Sequence, residues 1–150
     1  MTAIDPRGSG VHHAGVDSSP ESTRLERRTA LDLSIDEELV RGEVRGEALS
    51  SAQRHALSVL VEHELTRIEP LTEARFLAAL PGVRVFGSRR RGRLLAALVH
   101  MNLARRDGAS VHATVAGVAA VLHVSTAPER RPPQELLRAL RRIEISSIRL

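Results

Sequence analysis

A dense group of arginines lies in the segment VRVFGSRRRGR, residues 83–93, between two apolar helical patterns. Its members are Arg84, Arg89, Arg90, Arg91 and Arg93. The nearest acids along the chain are Glu73 and Asp107. A guanidinium group is planar, stays charged, and bonds phosphate or a guanine edge through two parallel hydrogen bonds. These residues therefore predict an anionic binding partner, and duplex nucleic acid fits that chemistry.

The position of these arginines in the chain strengthens that interpretation. Ser88 is a candidate N-cap, which would place the arginines in the first turns of a helix. Cations there oppose the helix macrodipole by a few tenths to about 1 kcal/mol each, so a purely structural role would favour acids. The alternative is a solvated run of surface charge, with a helix that begins only at Arg93 because Gly92 interrupts it.

Charge is divided unevenly along the chain. Residues 1–73 contain 14 acids and 8 arginines, whereas residues 74–150 contain 4 acids and 14 arginines. The two parts have net charges of −6 and +10, which give the total of +4. This split indicates a face that binds polyanions, or an acidic half that packs on a basic half within the fold or across a dimer.

The residues give no sign of a catalytic or cofactor-binding set. The absence of cysteine excludes disulfides, thiolate metal sites and cysteine nucleophiles. His55 and His63 lie nearly on one helical face, but zinc-motif spacings are absent and two solvated histidines fit better. Phosphate-loop, nucleophile-elbow and dinucleotide motifs are also absent. We therefore expect a non-enzymatic protein without metal or cofactor.

Composition narrows the kind of partner and the compartment. Two Phe and no Tyr or Trp provide no platform for stacking unpaired bases, so a duplex is expected rather than a single strand. The first 22 residues lack an apolar signal core, and the least polar stretch, residues 114–124, is too short to cross a bilayer. We expect a soluble, cytoplasmic protein of one domain with tails.

The N-terminal third predicts little stable structure. Residues 1–28 are rich in Gly, Ser, Pro and charge, which predicts a disordered tail. Alternation over residues 28–35 predicts a short strand with Leu31, Leu33 and Ile35 on one face. A capping box at Ser34–Glu37 then predicts a marginal acidic helix up to residue 49, weakened by Gly42 and Gly46 at about 1 kcal/mol each.

The main domain is predicted over residues 50–124. Ser50 and Gln53 form a capping box before a helix whose apolar face is Leu57, Leu60, Val61, Leu65 and Ile68. Thr72 caps a shorter helix that ends at Pro81-Gly82, and the basic helix follows. Asp107-Gly108 predicts a hairpin between residues 103–106 and 110–115, with Val111 and Ala113 on one face.

The C-terminal part of the chain gives weaker signals. Residues 116–124 are predicted as a short helix or strand. Residues 125–150 form a linker and a terminal helix at 134–142, followed by weak alternation.

This order resembles a winged helix-turn-helix. The segment NLARRDGASVHATVAGVAAVL, residues 102–122, is similar to the wing region of MarR-like and PadR-like bacterial regulators, with Thr114-x-x-Gly117 at the helix start. The resemblance covers about half of the chain, and residues 83–87 make the inter-helix turn longer than in those families. It implies a mainly α fold with a small β-hairpin, and a homodimeric transcriptional regulator that binds duplex DNA.

The resemblance also implies roles for particular residues. The helix from Ser88 would be the recognition helix, and its arginines would meet phosphates or guanine edges in the major groove. Arg105 and Arg106 would lie on the wing and reach the phosphate backbone. The helix at residues 134–142 is the candidate dimer helix.

Three alternatives remain open. Residues 80–83, LPGV, resemble the hairpin of helix-hairpin-helix DNA binders but lack their second glycine. Residues 28–68 allow a ribbon-helix-helix, whose acidic charge has the wrong sign for DNA. In the third alternative the chain is an adaptor, antitoxin-like or assembly subunit whose basic half docks an acidic protein partner. One form of this alternative uses the chain's own acidic segment, residues 32–47, to cover the basic face between copies.

Overall fold

The computed structural model describes residues 20–81 and 87–148. These residues are mainly helical, with a small three-stranded antiparallel sheet, so the predicted mainly α fold is confirmed. The elements in chain order are α1 (Pro20–Glu47), α2 (Ser51–Thr66), β1 (Leu71–Thr72), α3 (Glu73–Ala79), α4 (Gly87–His100), β2 (Ala104–Asp107), β3 (Ser110–Ala113), α5 (Val115–Leu122), a 3-10 turn (Pro128–Arg130) and α6 (Gln134–Ile148).

Helix α1 corrects the prediction for the N-terminal third. The predicted strand at residues 28–35 is wrong, because these residues belong to one 28-residue helix. Ile35 and Leu39, four residues apart, are buried, whereas the side chain of Leu33 is 59% exposed. Alternation along a strand would have placed Leu33 with Ile35. The ribbon-helix-helix alternative required that strand and is wrong with it.

The same helix removes two further features predicted there. The capping box at Ser34 is wrong, since Ser34 lies within the helix and donates a hydrogen bond to Glu144 Oε1 at 2.7 Å. Of the predicted disordered tail, residues 20–28 are helical, and residues 1–19 lie outside the described residues.

Two glycines explain how α1 packs. A Cβ atom on Gly42 would lie 2.7 Å from the Cβ of Ala119, and one on Gly46 would lie 3.1 Å from the Cα of Ala120. The missing side chains therefore let the backbones of α1 and α5 approach closely. Packing against α5 compensates the intrinsic cost that these glycines impose on an isolated helix.

Helix α2 runs through the centre of the core. The predicted capping box is confirmed: Gln53 N donates to Ser50 Oγ at 3.1 Å, and Ser50 N donates to Gln53 Oε1 at 3.0 Å. Leu57 and Leu60 are fully buried. The helix ends at Thr66, and Ile68, predicted on the apolar face, is fully exposed beyond that end.

The predicted hairpin is confirmed and gains a third strand. Strands β2 and β3 pair antiparallel from Ala104 with Ala113 to Asp107 with Ser110. The two-residue strand β1 adds to the other edge of β3, which gives the order β1-β3-β2. Val111 and Ala113 are buried on one face, as predicted. Thr72 ends β1 and caps α3 by accepting from Arg75 N at 3.2 Å, also as predicted.

Helix α6 is longer than predicted and closes one side of the molecule. It continues through residues 143–148, where the sequence shows only a weak alternation of apolar and polar residues. Leu140 and Ile143 are buried in the same core as Ile35 and Leu39 of α1. Arg141 Nε donates to Asp32 Oδ1 at 3.1 Å across the contact between α6 and α1.

Candidate nucleic-acid interface

Helix α4 carries most of the predicted arginines, and the core holds it in place. Leu95 and Leu98 are fully buried on its inner side. At its C-terminal end Asn102 takes a left-handed conformation (φ 61°), and Leu103 N donates to Leu98 O at 2.9 Å. Arg45 of α1 donates from Nη1 to Met101 O at 2.6 Å. The end of α4 is thus fixed to both the core and α1.

Thr114 links α4, the hairpin and α5 in one turn. Its hydroxyl donates to Asn102 O at 2.6 Å and accepts from Gly117 N at 3.1 Å. The predicted Thr-x-x-Gly helix start is therefore present. A Cβ on Gly117 would lie 3.2 Å from Cδ1 of Leu57 and closer still to Leu103 O. Glycine at this position lets α5 pack directly on the chain that follows α4.

One side of α4 is open to solvent and presents cations around small side chains. Arg89, Arg93, Ala96 and His100 follow one another at intervals of four, three and four residues, which is one face of a helix. All four are exposed, and Arg90 is exposed beside them. His100 was not predicted as part of this face, although its spacing from Arg89 is visible in the sequence.

The remaining predicted residues of this segment have different environments. Arg91 faces inward, is half-buried, and has an Nε atom that is buried without a hydrogen-bond partner. Gly92 lies within α4, which begins at Gly87, so the helix does not start at Arg93. Ser88 is consequently inside the first turn rather than at the N-cap, and its side chain lies outside the described residues, as does Arg84.

The exposed arginines of α4 have no acidic partner within the part of the chain that the structure describes. There Arg89, Arg90 and Arg93 form no ion pair, whereas arginines elsewhere do, for example Arg130 with Glu43 at 3.3 Å. Arg89 and Arg90 also lie in the first turn of α4, at the positive end of the helix macrodipole, where each cation costs a few tenths to about 1 kcal/mol. An anion bound at this end of α4 would relieve both effects.

The hairpin presents less charge than the sequence predicted. Arg105 is half-buried, and its Nε and Nη1 atoms are buried without hydrogen-bond partners. Arg106 is 42% exposed and lies 3.6 Å from Glu73 Oε1, a long and weak ion pair. Asp107 is exposed at the tip, beside a two-residue turn in which Gly108 has φ 60°. Of the two predicted hairpin arginines, Arg106 is the more available.

His55, His63 and His112 have different surroundings. His55 is exposed, and His63 lies 2.8 Å from Glu69 O through Nε2. His112 Nδ1 lies 3.3 Å from Glu64 Oε2. Within residues 20–81 and 87–148, no three His, Asp or Glu side chains come together as a metal ion would require. No helix in the same residues is both long and apolar enough to cross a membrane.

Comparison with protein-family models, with curated proteins and with solved structures gives no match for this chain.

Proposed function

We propose that this chain binds duplex DNA through the exposed face of α4, in the manner of a winged helix-turn-helix regulator. The observation that carries the proposal is a set of exposed cations, Arg89, Arg90 and Arg93, that form no ion pair within the described residues, on a helix anchored by the buried Leu95 and Leu98. Phosphate contacts from such arginines supply sequence-independent affinity, and guanine edges in the major groove supply specificity.

The order of the elements supports the same proposal. A helix (α2), a short strand (β1), two successive helices (α3 and α4) and a hairpin (β2 and β3) follow one another, and the hairpin pairs with β1 in the order β1-β3-β2. This is the order expected of a winged helix-turn-helix, with α4 as recognition helix. Helix α3 ends at Ala79 and α4 begins at Gly87, a wider separation along the chain than in a tight helix-turn-helix.

Small residues on and beside the exposed face favour an approach by the groove. Ala96 lies between Arg93 and His100 on this face, and half-buried Gly92 lies at its edge, so short side chains stand beside the basic ones. The major groove of B-form DNA is about 12 Å wide and admits a helix. These short side chains let the helix axis come close to the base edges while the long arginines reach the backbone on either side.

The hairpin has a supporting role in this proposal. Its tip is a two-residue turn preceded by the exposed acid Asp107, which phosphate would repel. Arg106 would give up its weak ion pair with Glu73 and contact the phosphate backbone in its place. We therefore assign most of the binding to α4 and only a backbone contact to the wing.

A salt series of duplex binding tests the proposal. The double substitution Arg89→Ala/Arg93→Ala should flatten the plot of log affinity against log salt, by about 0.9 units for each phosphate that the variant no longer neutralises. The matched control is Arg138→Ala/Arg142→Ala, which removes the same charge from exposed positions of α6. Its slope should stay close to that of the parent protein.

Two results would overturn the proposal. Equal slopes for both double variants would show that binding follows net charge rather than α4. If the protein does not bind duplex DNA at low salt, the exposed arginines of α4 favour the second candidate function, which is docking of an acidic protein. That candidate is identified separately, by binding to polyglutamate that excess duplex DNA does not displace.

A further inference from the structure

Helix α1 has a second apolar face, on the side away from the core. Its inner side is formed by Ile35, Leu39, Gly42 and Gly46. Roughly 150° around the helix, at about 100° per residue, lie Leu33, Val40 and Val44. Their exposed fractions are 59%, 46% and 65%. A helix with one core needs one apolar face, so the second face indicates a partner outside the described chain.

The second face has the spacing of a coiled-coil seam. Ala30, Leu33, Glu37, Val40 and Val44 recur at alternating intervals of three and four residues. This is the a/d pattern that packs one helix against another. Glu37 is the polar position in the middle of the seam, and a polar residue at such a position selects the orientation of the pairing.

We propose that this seam pairs with the same seam of a second copy of the chain, with the two α1 helices antiparallel. A two-fold axis between residues 38 and 39 places Leu33 against Val44 of the second copy, and Glu37 against Val40 of the second copy. Both contacts occur twice, because the axis makes the interface self-complementary. A parallel pairing would instead place the two Glu37 carboxylates together, where like charges repel.

The charges beside the seam fit the antiparallel pairing. Arg41, whose side chain is 51% exposed and pairs with Glu38 of its own helix, follows Val40, so in the dimer it would lie between Glu38 and Glu37 of the second copy. Glu43 flanks the seam on its other side and is already paired with Arg130 at 3.3 Å. The acid flank is thus partly neutralised within each copy.

This interface differs from the one that the sequence predicted. The candidate dimer helix at residues 134–142 uses Leu140 for the core of its own chain, with Ile143 just beyond it. Those apolar groups are therefore not free for a partner, whereas the outer face of α1 is. The inference does not depend on DNA binding, since it concerns a different helix face and a different measurement.

Sedimentation equilibrium of the full chain tests the proposal. The parent protein should show a concentration-dependent mass that approaches twice 16.4 kDa. Val44→Glu should raise the dimer dissociation constant by about tenfold or more, because it places a carboxylate in the seam opposite Leu33. Ile68→Glu is the control, since Ile68 is fully exposed but lies outside α1. A monomeric parent protein, or equal effects of both substitutions, would refute the proposal.

Engineered cysteines test the orientation, and the chain has no cysteine of its own. Under mild oxidation, Leu33→Cys mixed with Val44→Cys should give a cross-linked dimer, because these positions meet across the axis. Leu33→Cys alone should stay uncross-linked. Rapid cross-linking of Leu33→Cys alone would instead require parallel helices and would overturn the antiparallel pairing. Circular dichroism checks that each variant keeps its helical content.

Discussion

Glycines within the helices of this protein have two opposite roles. At Gly42 an added Cβ would meet the side chain of Ala119 at 2.7 Å and the backbone of Ala116 at a still shorter distance. At Gly92 an added Cβ would have no neighbour within 4 Å. Both residues carry the same intrinsic cost in a helix. Only at Gly42 does packing within the chain account for that cost.

We predict that Gly42→Ala destabilises the protein by about 1–3 kcal/mol, the usual cost of overpacking a close contact. The backbone of α5 must shift to admit the methyl group, and backbone cannot move aside as a flexible side chain does. Chemical denaturation monitored by circular dichroism measures the change. An unchanged or higher unfolding midpoint would contradict the close packing of α1 on α5.

Gly92→Ala is the matched substitution, and its expected effect on stability has the opposite sign. It should stabilise the protein by up to about 1 kcal/mol, because it improves helix propensity and the added methyl group meets no neighbouring atom. If α4 enters the groove as proposed, the added methyl group lies at the edge of the binding face, beside Arg89 and Ala96. Duplex affinity then falls although stability rises. A gain in both quantities would argue that this face of α4 does not approach DNA closely.

At the scale of elements, one arginine joins the ends of three helices. Arg54 of α2 donates from Nη2 to Gly46 O, near the end of α1, and from Nη1 to Ala120 O of α5 at 3.3 Å. Both carbonyls lie where helix dipoles are negative and where intrahelical donors are lacking. The contact therefore holds α1 and α5 on α2 at one point.

We predict that Arg54→Met lowers the free energy of unfolding by about 1.5–3 kcal/mol, the range for hydrogen bonds to charged groups. Methionine keeps the aliphatic length but provides no donor. Arg67→Met is the control, because Arg67 is exposed just after the end of α2. Denaturant midpoints of the two variants and the parent protein give the comparison. Equal small effects would mean that the carbonyls of Gly46 and Ala120 are satisfied without Arg54.

Elements with local signals were predictable from the sequence, and the N-terminal part of α1 was not. The Ser50 and Thr72 caps and the Asp107-Gly108 turn depend on residues within three or four positions of one another. In α1, Leu33 belongs to the outer face and Ile35 to the inner face. A helix with two apolar faces produces short-range alternation, and this alternation predicts a strand. The partner of Gly42 lies in α5, more than 70 residues further along the chain, and no local pattern reveals it.

The candidate site was predictable in composition but not in geometry. The arginine-rich segment identified α4 directly. Which arginines face outward depends on the burial of Leu95 and Leu98, which turns Arg91 inward and Arg89 and Arg93 outward. The low acid content around these residues suggested an open basic face. The third strand β1 was missed because two residues carry no periodicity.

At the scale of the whole molecule, the acidic half pairs with part of the basic half but leaves the arginines of α4 without an ion pair in the described residues. Acids of α1 pair with Arg130 and Arg141, and not with the arginines of α4. The acidic helix therefore packs beside the core while the basic face stays open. The two proposals are compatible with this separation, since a pairing through the outer face of α1 would leave the basic face of α4 free for phosphate.

The two proposals together predict how the length of a duplex affects affinity. If α1 joins two copies, two α4 helices bind one long duplex, and the second contact is made at a high effective concentration. The parent protein should bind a duplex of about 36 base pairs at least about tenfold more tightly than one of about 12 base pairs. Val44→Glu should remove most of that difference and leave binding to the short duplex unchanged. Fluorescence anisotropy at one salt concentration measures all four affinities. A length preference that persists in the monomeric variant would mean that α1 pairing does not bring two recognition helices to the same DNA, even if each proposal holds separately.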